Sequence, residues 1–203
     1  MTPCRLVVLI SGGGSNLAAL LEATQDPSYG ARVVAVGADR HHAAGLKLAE
    51  DAGIPTFVER TGDYSSREQW DHALTDAVAA ANPDLIVSAG FLKLLGAEFL
   101  DRFDGRVINT HNSLLPAFPG TTGPADALAY GVKFAGATLF FVDSGTDTGP
   151  IIAQTVVPVL PEDDLDGLTE RIKVAERAQL VDYVGRLARD GWRIEGRRVH
   201  LGT

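Results

Sequence analysis

The 203-residue chain is long enough for one domain with a substantial core, and its 45% hydrophobic and 22% charged residues are ordinary for a globular protein. A formal net charge of −8 argues against a binding surface for nucleic acids or anionic membranes. Cys4 is the only cysteine, which excludes an intrachain disulfide and a structural cysteine zinc site. The first apolar run, Leu6–Ile10, is too short for a signal peptide and no run approaches a membrane span, so we expect a cytoplasmic protein.

Short apolar runs alternate with helical patterns along the chain. The nearly continuous Val, Ile and Leu of the first run favour a buried parallel sheet. The alternation predicts an α/β fold, one domain over residues 1–203 with a single doubly wound, mostly parallel sheet. The predicted strands are Arg5–Ile10, Arg32–Gly37, Thr56–Val58, Leu85–Ser88, Val107–Asn109, Ala137–Val142 and Ile151–Val157. The predicted helices are Asn16–Ala23, Ala43–Ala52, Ser65–Ala81, Gly96–Phe103 and Leu165–Arg189, followed by a small hairpin that turns at Glu195-Gly196.

A glycine-rich segment, Ser11-Gly12-Gly13-Gly14-Ser15-Asn16, joins the first strand to the first helix. Glycines let backbone N–H groups approach an anion closely, and a helix N-terminus adds partial positive charge. The spacing matches neither the dinucleotide fingerprint nor the Walker pattern. We predict a phosphate site, because open sheets bind ligands at the carboxyl ends of their strands. The alternative is a plain glycine turn in which Ser15 or Asn16 caps the helix.

An amide, an imidazole and a carboxylate occur in two further motifs. Asn109 and His111 are two residues apart, so an extended segment projects them to the same face. Asp147 could orient the imidazole and favour its charged form. An amide donor beside a carboxylate-backed imidazolium suits the oxyanion that develops during acyl or formyl transfer. Because no Ser, Cys or Thr in these motifs completes a nucleophilic triad, we predict direct transfer without a covalent enzyme intermediate.

Each of these three residues also has a structural interpretation. His111 could be a hydrogen-bonded structural histidine, Asn109 could cap a strand end, and Asp147 could belong to a plain turn. Their joint occurrence with the glycine segment favours an active site. The spacing of the other histidines does not indicate a metal site.

Five segments, in order and between about residues 5 and 190, resemble the phosphoribosylglycinamide formyltransferase family. The resemblance implies the formyltransferase fold, with a Rossmann-like N-terminal half. It implies transfer of a formyl group from the cosubstrate N10-formyltetrahydrofolate to glycinamide ribonucleotide in purine synthesis, without a metal. The segments are Ser11–Leu17, Ser88–Leu95, Asn109–His111, Ser113–Gly120 and Asp147–Pro150.

The resemblance also implies roles for individual residues. The catalytic residues would be Asn109, His111 and Asp147. The ribonucleotide would be bound by Ser11, Gly12, Gly13, Gly14, Ser15, Asn16, Gly90, Lys173 and Glu176. The folate would be bound, largely through backbone groups, by Leu92, Lys93, Leu94, Leu95, Val142, Asp143 and Asp147.

The chain departs from the family pattern close to these residues. The family normally has Pro at Asn112, His at Phe140 and Arg at Lys93. It commonly has a His in the loop that here reads Thr121-Thr122, and another at Arg177. The alternatives to the transferase are a formyltetrahydrofolate hydrolase with the same three residues, and a binding paralogue with an altered acceptor. The hydrolases usually begin with an extra regulatory domain, which we do not expect before the first strand here. A homodimer is possible.

Overall fold

The computed structural model describes residues 2–202 and contains a seven-stranded sheet with a helix layer on each face. The strands are β1 (Cys4–Ile10), β2 (Ala31–Ala38), β3 (Thr56–Val58), β4 (Leu85–Ser88), β5 (Val107–His111), β6 (Phe134–Phe141) and β7 (Ile151–Pro158). The α-helices are α1 (Ser15–Ala23), α2 (Ala44–Asp51), α3 (Arg67–Ala80), α4 (Ala97–Arg102), α5 (Gly123–Tyr130) and α6 (Leu165–Asp190). A separate hairpin contains β8 (Trp192–Glu195) and β9 (Arg198–Leu201), and two short 3-10 helices span Pro27–Tyr29 and Thr61–Asp63.

The strand order across the sheet is β3-β2-β1-β4-β5-β6-β7. The first five strands are parallel, whereas β6 is antiparallel to β5 and β7 is antiparallel to β6. The predicted α/β fold with a mostly parallel sheet is therefore confirmed. The chain runs outward from β1 in one direction to β3 and then in the other direction from β4. The connections leave the adjacent strands β1 and β4 in opposite directions, which makes the crevice at their carboxyl ends the switch point. Open sheets typically bind ligands in such a crevice.

Burial of β1 on both faces explains why its sequence is continuously apolar. Val7 and Leu9 pack against α3, in a cluster with Trp70 and Leu74. Their neighbours Leu6, Val8 and Ile10 face the opposite side and pack against α1 and α6. Because successive side chains of a strand alternate, two helix layers require apolar residues at every position.

Several predicted boundaries change in the C-terminal half. Helix α5 is missing from the helices predicted from the sequence, where Pro124 is ordinarily a helix breaker. In the structure the proline lies in the first turn, where it is tolerated, and Gly131 ends the helix with φ 79°. Strand β6 begins at Phe134 rather than Ala137, and β5 extends to His111 rather than ending at Asn109.

Cys4, at the start of β1, carries the only thiol in the sequence and is partly buried. Burial, together with the nearby Asp84 carboxylate, raises the pKa of Cys4 to about 11, which keeps the thiol protonated. Between residues 2 and 202, no helix is both long and apolar enough to cross a membrane. Within the same described range, His, Cys, Asp and Glu side chains form no group of three suited to a metal ion.

Candidate active site

A cavity of about 490 Å³ opens beyond the carboxyl ends of β4 and β5. This volume lies within the range of about 300–1,000 Å³ that is typical of small-molecule sites. Three chain segments that are distant in sequence form most of its wall. The lining residues are Ser88, Gly90, Phe91, Leu92, Lys93, Leu94, Leu95, Asn109, Thr110, His111, Asn112, Gly120, Thr121, Phe140, Val142, Asp143, Ser144, Gly145, Thr146, Asp147 and Glu176.

The catalytic candidates come together in this cavity. Asn109 and His111 both lie on β5 and both line the cavity. Asp147 arrives from the loop between β6 and β7, and its Oδ2 lies 3.7 Å from His111 Nδ1. The side chains of His111 and Asp147 are only 7% and 12% exposed. Charge interactions between them are therefore less screened than at the surface.

The second nitrogen of His111 has a different partner. Its Nε2 lies 2.9 Å from the carbonyl oxygen of Phe118. A carbonyl oxygen only accepts hydrogen bonds, so this geometry places a proton on Nε2. Nδ1 is therefore the nitrogen available to interact with a substrate, and it faces Asp147.

The loop between β6 and β7 holds Asp147 in a specific backbone conformation. Asp147 has φ 55°, in the left-handed region that residues other than glycine seldom adopt. The Gly120 N–H donates to its Oδ2 at 2.8 Å. Within the same loop, Asp143 Oδ1 accepts from the Gly145 N–H at 3.1 Å and from the Thr148 hydroxyl at 2.6 Å. These bonds stabilise the strained turn that directs the carboxylate into the cavity.

The turn that follows His111 is fixed by side chains of the antiparallel strands. The Thr138 hydroxyl of β6 accepts from the Leu115 N–H at 3.0 Å and donates to the Ser113 carbonyl at 2.7 Å. Gln154 of β7 donates to the Leu115 carbonyl at 2.8 Å. Neither Thr138 nor Gln154 was identified from the sequence, because each acts on a backbone group of a distant segment.

The segment from Gly90 to Leu95 forms the apolar side of the cavity. Leu92 and Leu94 are 65% and 66% exposed, which is unusual for leucine and leaves apolar surface free for a ligand. The Ser11 hydroxyl accepts from the Leu92 N–H at 2.8 Å. This bond joins the segment to the glycine-rich residues 11–16, here called the glycine loop. Lys93 Nζ lies 3.8 Å from the buried carboxylate of Asp39, a residue that sequence reasoning missed.

The glycine loop lies beside the cavity rather than in its wall. The residue that caps α1 is Gly14, with φ 76°, so the predicted alternative in which Ser15 or Asn16 caps this helix is wrong. A Cβ atom on Gly14 would lie 2.8 Å from the Cα of Gly45, so packing alone requires glycine there. Within residues 2–202, and apart from the adjoining residues of the chain, no atom lies within 4 Å of a Cβ placed on Gly12 or Gly13. The space over these two glycines is open to a ligand.

Two residues of α6 were predicted beside this loop. Glu176 is buried and lines the cavity, and its Oε1 accepts from the Asn16 amide at 2.9 Å. Glu176 therefore connects the glycine loop to the cavity. Lys173 lies one turn earlier on the exposed surface of α6 and is not part of the cavity lining.

Comparisons with known proteins identify the family to which the chain belongs. The family model for formyl transferases matches residues 4–184. A phosphoribosylglycinamide formyltransferase from Mycobacterium tuberculosis is 57% identical over 200 residues, which cover 98% of this chain and 92% of the relative. The crystal structure of glycinamide ribonucleotide transformylase 1 from Symbiobacterium toebii has a TM-score of 0.95 and 40% identity, covering 100% of this chain and 95% of that one.

A formyltetrahydrofolate deformylase from Pseudomonas syringae pv. tomato has a similar fold, with a TM-score of 0.91. It is only 23% identical; the match covers 99% of this chain and 66% of that one, so the likeness concerns the fold alone. The family match and the 57% identical relative together decide the assignment. As its motifs predicted, the chain belongs to the formyl transferase family.

Proposed function

We propose that this protein transfers the formyl group of N10-formyltetrahydrofolate to the amine of glycinamide ribonucleotide in de novo purine biosynthesis. This is the transfer for which the relative from M. tuberculosis is named. The observation that carries the proposal is the open glycine loop beside a cavity lined by Asn109, His111 and Asp147. One site for a phosphate and one for formyl transfer thus adjoin each other.

The glycine loop suits the phosphate of the acceptor. The space over Gly12 and Gly13 is open, and the first N–H groups of α1 follow directly. Backbone N–H groups and the positive end of a helix favour a phosphate there. Glu176 would direct the ribose towards the cavity, and Lys173 would add positive charge at its edge. Ser11, Ser15, Asn16 and Gly90 complete the proposed ribonucleotide site.

The apolar side of the cavity suits the folate. Leu92 and Leu94 offer exposed apolar surface to a flat ring, as Leu95 and Val142 do to a smaller extent. The loop with Asp143 and Asp147 supplies backbone and carboxylate groups for polar ring edges. Lys93 lies at the same wall and would face the negatively charged part of the cosubstrate. This division between apolar wall and polar loop is typical of small-molecule pockets.

In the proposed reaction, the amine nitrogen bonds to the formyl carbon and the formyl oxygen becomes an oxyanion. The Asn109 amide and His111 Nδ1 would donate to this oxygen. Because Nε2 already donates to the Phe118 carbonyl, Nδ1 donates only if the ring is the imidazolium cation. Asp147 stabilises that cation and accepts the proton released by the amine. The carbon–N10 bond then breaks, and N10 takes up a proton.

A formyltetrahydrofolate hydrolase would use water as the acceptor and would have no use for a phosphate site. The open glycine loop therefore favours the transferase. The decisive experiment compares glycinamide ribonucleotide, the nucleoside that lacks its phosphate, and no acceptor. We expect kcat/KM for the nucleoside to fall by at least about 30-fold, equivalent to about 2 kcal/mol. Equal turnover of both acceptors would overturn the phosphate site, and rapid formate release without acceptor would favour the hydrolase.

Three further expectations from the sequence stay predictions. They are the homodimer, the cytoplasmic location and the organisation of residues 1–203 as a single domain.

A further inference from the structure

The C-terminal hairpin lies beyond residues 4–184, which the family model matches, yet it contacts the loop that carries Asp147. Arg197, in the turn between β8 and β9, donates from one guanidinium nitrogen to the Thr148 carbonyl at 2.9 Å and to the Gly149 carbonyl at 3.3 Å. These are the two residues that directly follow the catalytic carboxylate.

The hairpin is firmly attached to the body of the protein. The Trp192 indole N–H donates to the Gly105 carbonyl at 2.8 Å. Its ring lies 6.0 Å from that of Phe141, the last residue of β6 before the catalytic loop. Ile194 and Val199 pack against the main core. The turn that carries Arg197 is therefore a fixed point from which a side chain can hold the loop.

The loop needs such support because its backbone is strained at Asp147. A left-handed conformation is unfavourable for a residue other than glycine, so neighbouring contacts must maintain it. The Thr148 hydroxyl holds one side of the turn through Asp143. Arg197 holds the other side, because a guanidinium has several N–H donors in a rigid plane and fixes the direction of two successive carbonyls.

We propose that Arg197 is a positioning residue for formyl transfer. By orienting the peptides after Asp147, it keeps the carboxylate opposite His111 Nδ1, at the separation of 3.7 Å. Arg197 does not line the cavity, so it acts through Asp147 rather than on a substrate. This inference rests on the proposed function.

The experiment compares Arg197→Ala with Arg198→Ala, which removes the same charge from the next residue, also exposed, in the same hairpin. We expect Arg197→Ala to lower kcat about tenfold, because small misplacements of catalytic groups are costly, while both KM values change less than about twofold. Arg198→Ala should leave kcat unchanged. Arg197→Lys, which keeps the charge and one donor nitrogen, should recover part of the loss.

A double-mutant cycle tests whether the effect passes through the carboxylate. In an Asp147→Asn background, Arg197→Ala should cause little further loss of kcat, because residues that act as a unit are not additive. Fully multiplicative losses, or equal activity of the two arginine variants, would overturn the inference. If Arg197→Ala unfolds, the folded Arg197→Lys variant decides, since no loss of kcat there would also overturn it. Absence of formyl transfer by the unmodified protein would instead refute the proposed function.

Discussion

The two nitrogens of His111 lie in different environments, and the role proposed for this residue depends on the difference. The Phe118 carbonyl holds Nε2 and sets the orientation of the ring. Asp147 faces Nδ1 across 3.7 Å, which is an ion-pair separation rather than a hydrogen bond. In the proposed reaction Nε2 donates to the Phe118 carbonyl and Nδ1 donates to the oxyanion, so each nitrogen has a separate part.

Asp147→Asn tests this interpretation at the residue scale. The change removes the negative charge and keeps the size, so we expect kcat to fall about a hundredfold, the scale of losing an oxyanion donor. KM should change little, because the interaction strengthens mainly in the transition state. Steady-state kinetics with both substrates measure the effect, and the unfolding midpoint serves as the control. Near-normal turnover would mean that this carboxylate is only a turn residue.

The adjacent glycines Gly13 and Gly14 should respond differently to a methyl group. Gly13→Ala has room in the fold but intrudes on the phosphate site, so we expect normal stability and about a tenfold rise in KM for the ribonucleotide. Gly14→Ala is incompatible with φ 76° and with Gly45 at 2.8 Å, so it should lose at least about 1–2 kcal/mol of stability. Chemical denaturation and kinetics on the pair separate packing from binding. Normal ribonucleotide KM in Gly13→Ala would argue against the phosphate site.

At the element scale, α3 holds the segment that forms the apolar wall of the cavity. The buried carboxylate of Asp71 accepts from the Gly96 N–H at 2.8 Å and from the Glu98 N–H at 3.1 Å, which caps α4. One turn earlier, Arg67 donates to the Leu94 carbonyl. Trp70, between these two, stacks on Phe91 with ring centroids 6.4 Å apart. Successive turns of one helix thus fix both ends of the Leu92–Leu95 wall.

Asp71→Ala should therefore affect both stability and folate binding. Loss of a helix cap costs about 1–2 kcal/mol, and the freed N–H groups are partly buried. We expect KM for the folate to rise more than KM for the ribonucleotide. Asp71→Asn retains one of the two acceptor oxygens, so it should keep only part of the cap. Asp76→Ala, an exposed acid on the same helix, is the matched control. Equal changes in both KM values would show that α3 does not act through this wall.

The connection from β7 to α6 has a pH-dependent anchor. Arg171 donates to both carboxylate oxygens of Asp163, at 2.6 and 2.7 Å, and lowers the pKa of that carboxyl from 3.8 to about 2. Because this pKa is lower in the folded than in the unfolded state, the ionised Asp163 stabilises the fold above about pH 4. This stabilisation is lost as the pH falls through about 2. Unfolding free energies of the unmodified protein and Asp163→Asn should converge from pH 5 to 2. A constant difference would contradict this role.

Considered as a whole, the molecule brings the two proposed ligand sites together at one edge of its sheet. Strands β1, β4 and β5 end at the same edge, where the glycine loop and the cavity adjoin. The Ser11–Leu92 and Asn16–Glu176 hydrogen bonds join the two sites directly. Ligand binding at either site should therefore stabilise the entire sheet.

Thermal and denaturant unfolding test this expectation. One domain predicts one cooperative transition, measured identically by fluorescence and circular dichroism. Each ligand, a folate analogue or the ribonucleotide, should add about 2.7 kcal/mol at 100 times its dissociation constant. Two separate transitions would indicate more than one domain. Stabilisation by the folate analogue but never by the ribonucleotide would argue for the hydrolase or for an altered acceptor.

Local sequence patterns were enough to predict the buried parallel strands, the glycine loop and the family. These features depend on local composition and spacing: continuous Val, Ile and Leu in β1, three successive glycines, and two polar residues at a separation of two in β5. Local patterns determine which face a side chain takes, so the approach of Asn109 and His111 to one cavity was predictable. The assignment of their roles stays a prediction.

The contacts that support the candidate site became visible only in the three-dimensional structure. The antiparallel direction of β6 and β7 places Thr138 and Gln154 on the turn after His111, and strand direction is not encoded in an apolar run. His111 contacts the backbone carbonyl of Phe118, and Asp147 contacts the backbone N–H of Gly120. Such backbone groups are common to nearly all residue types, so the sequence does not mark these partners. Arg197 contacts the loop between β6 and β7 from 48 residues away. Such contacts have no local sequence signal, because they exist only after distant segments have packed together.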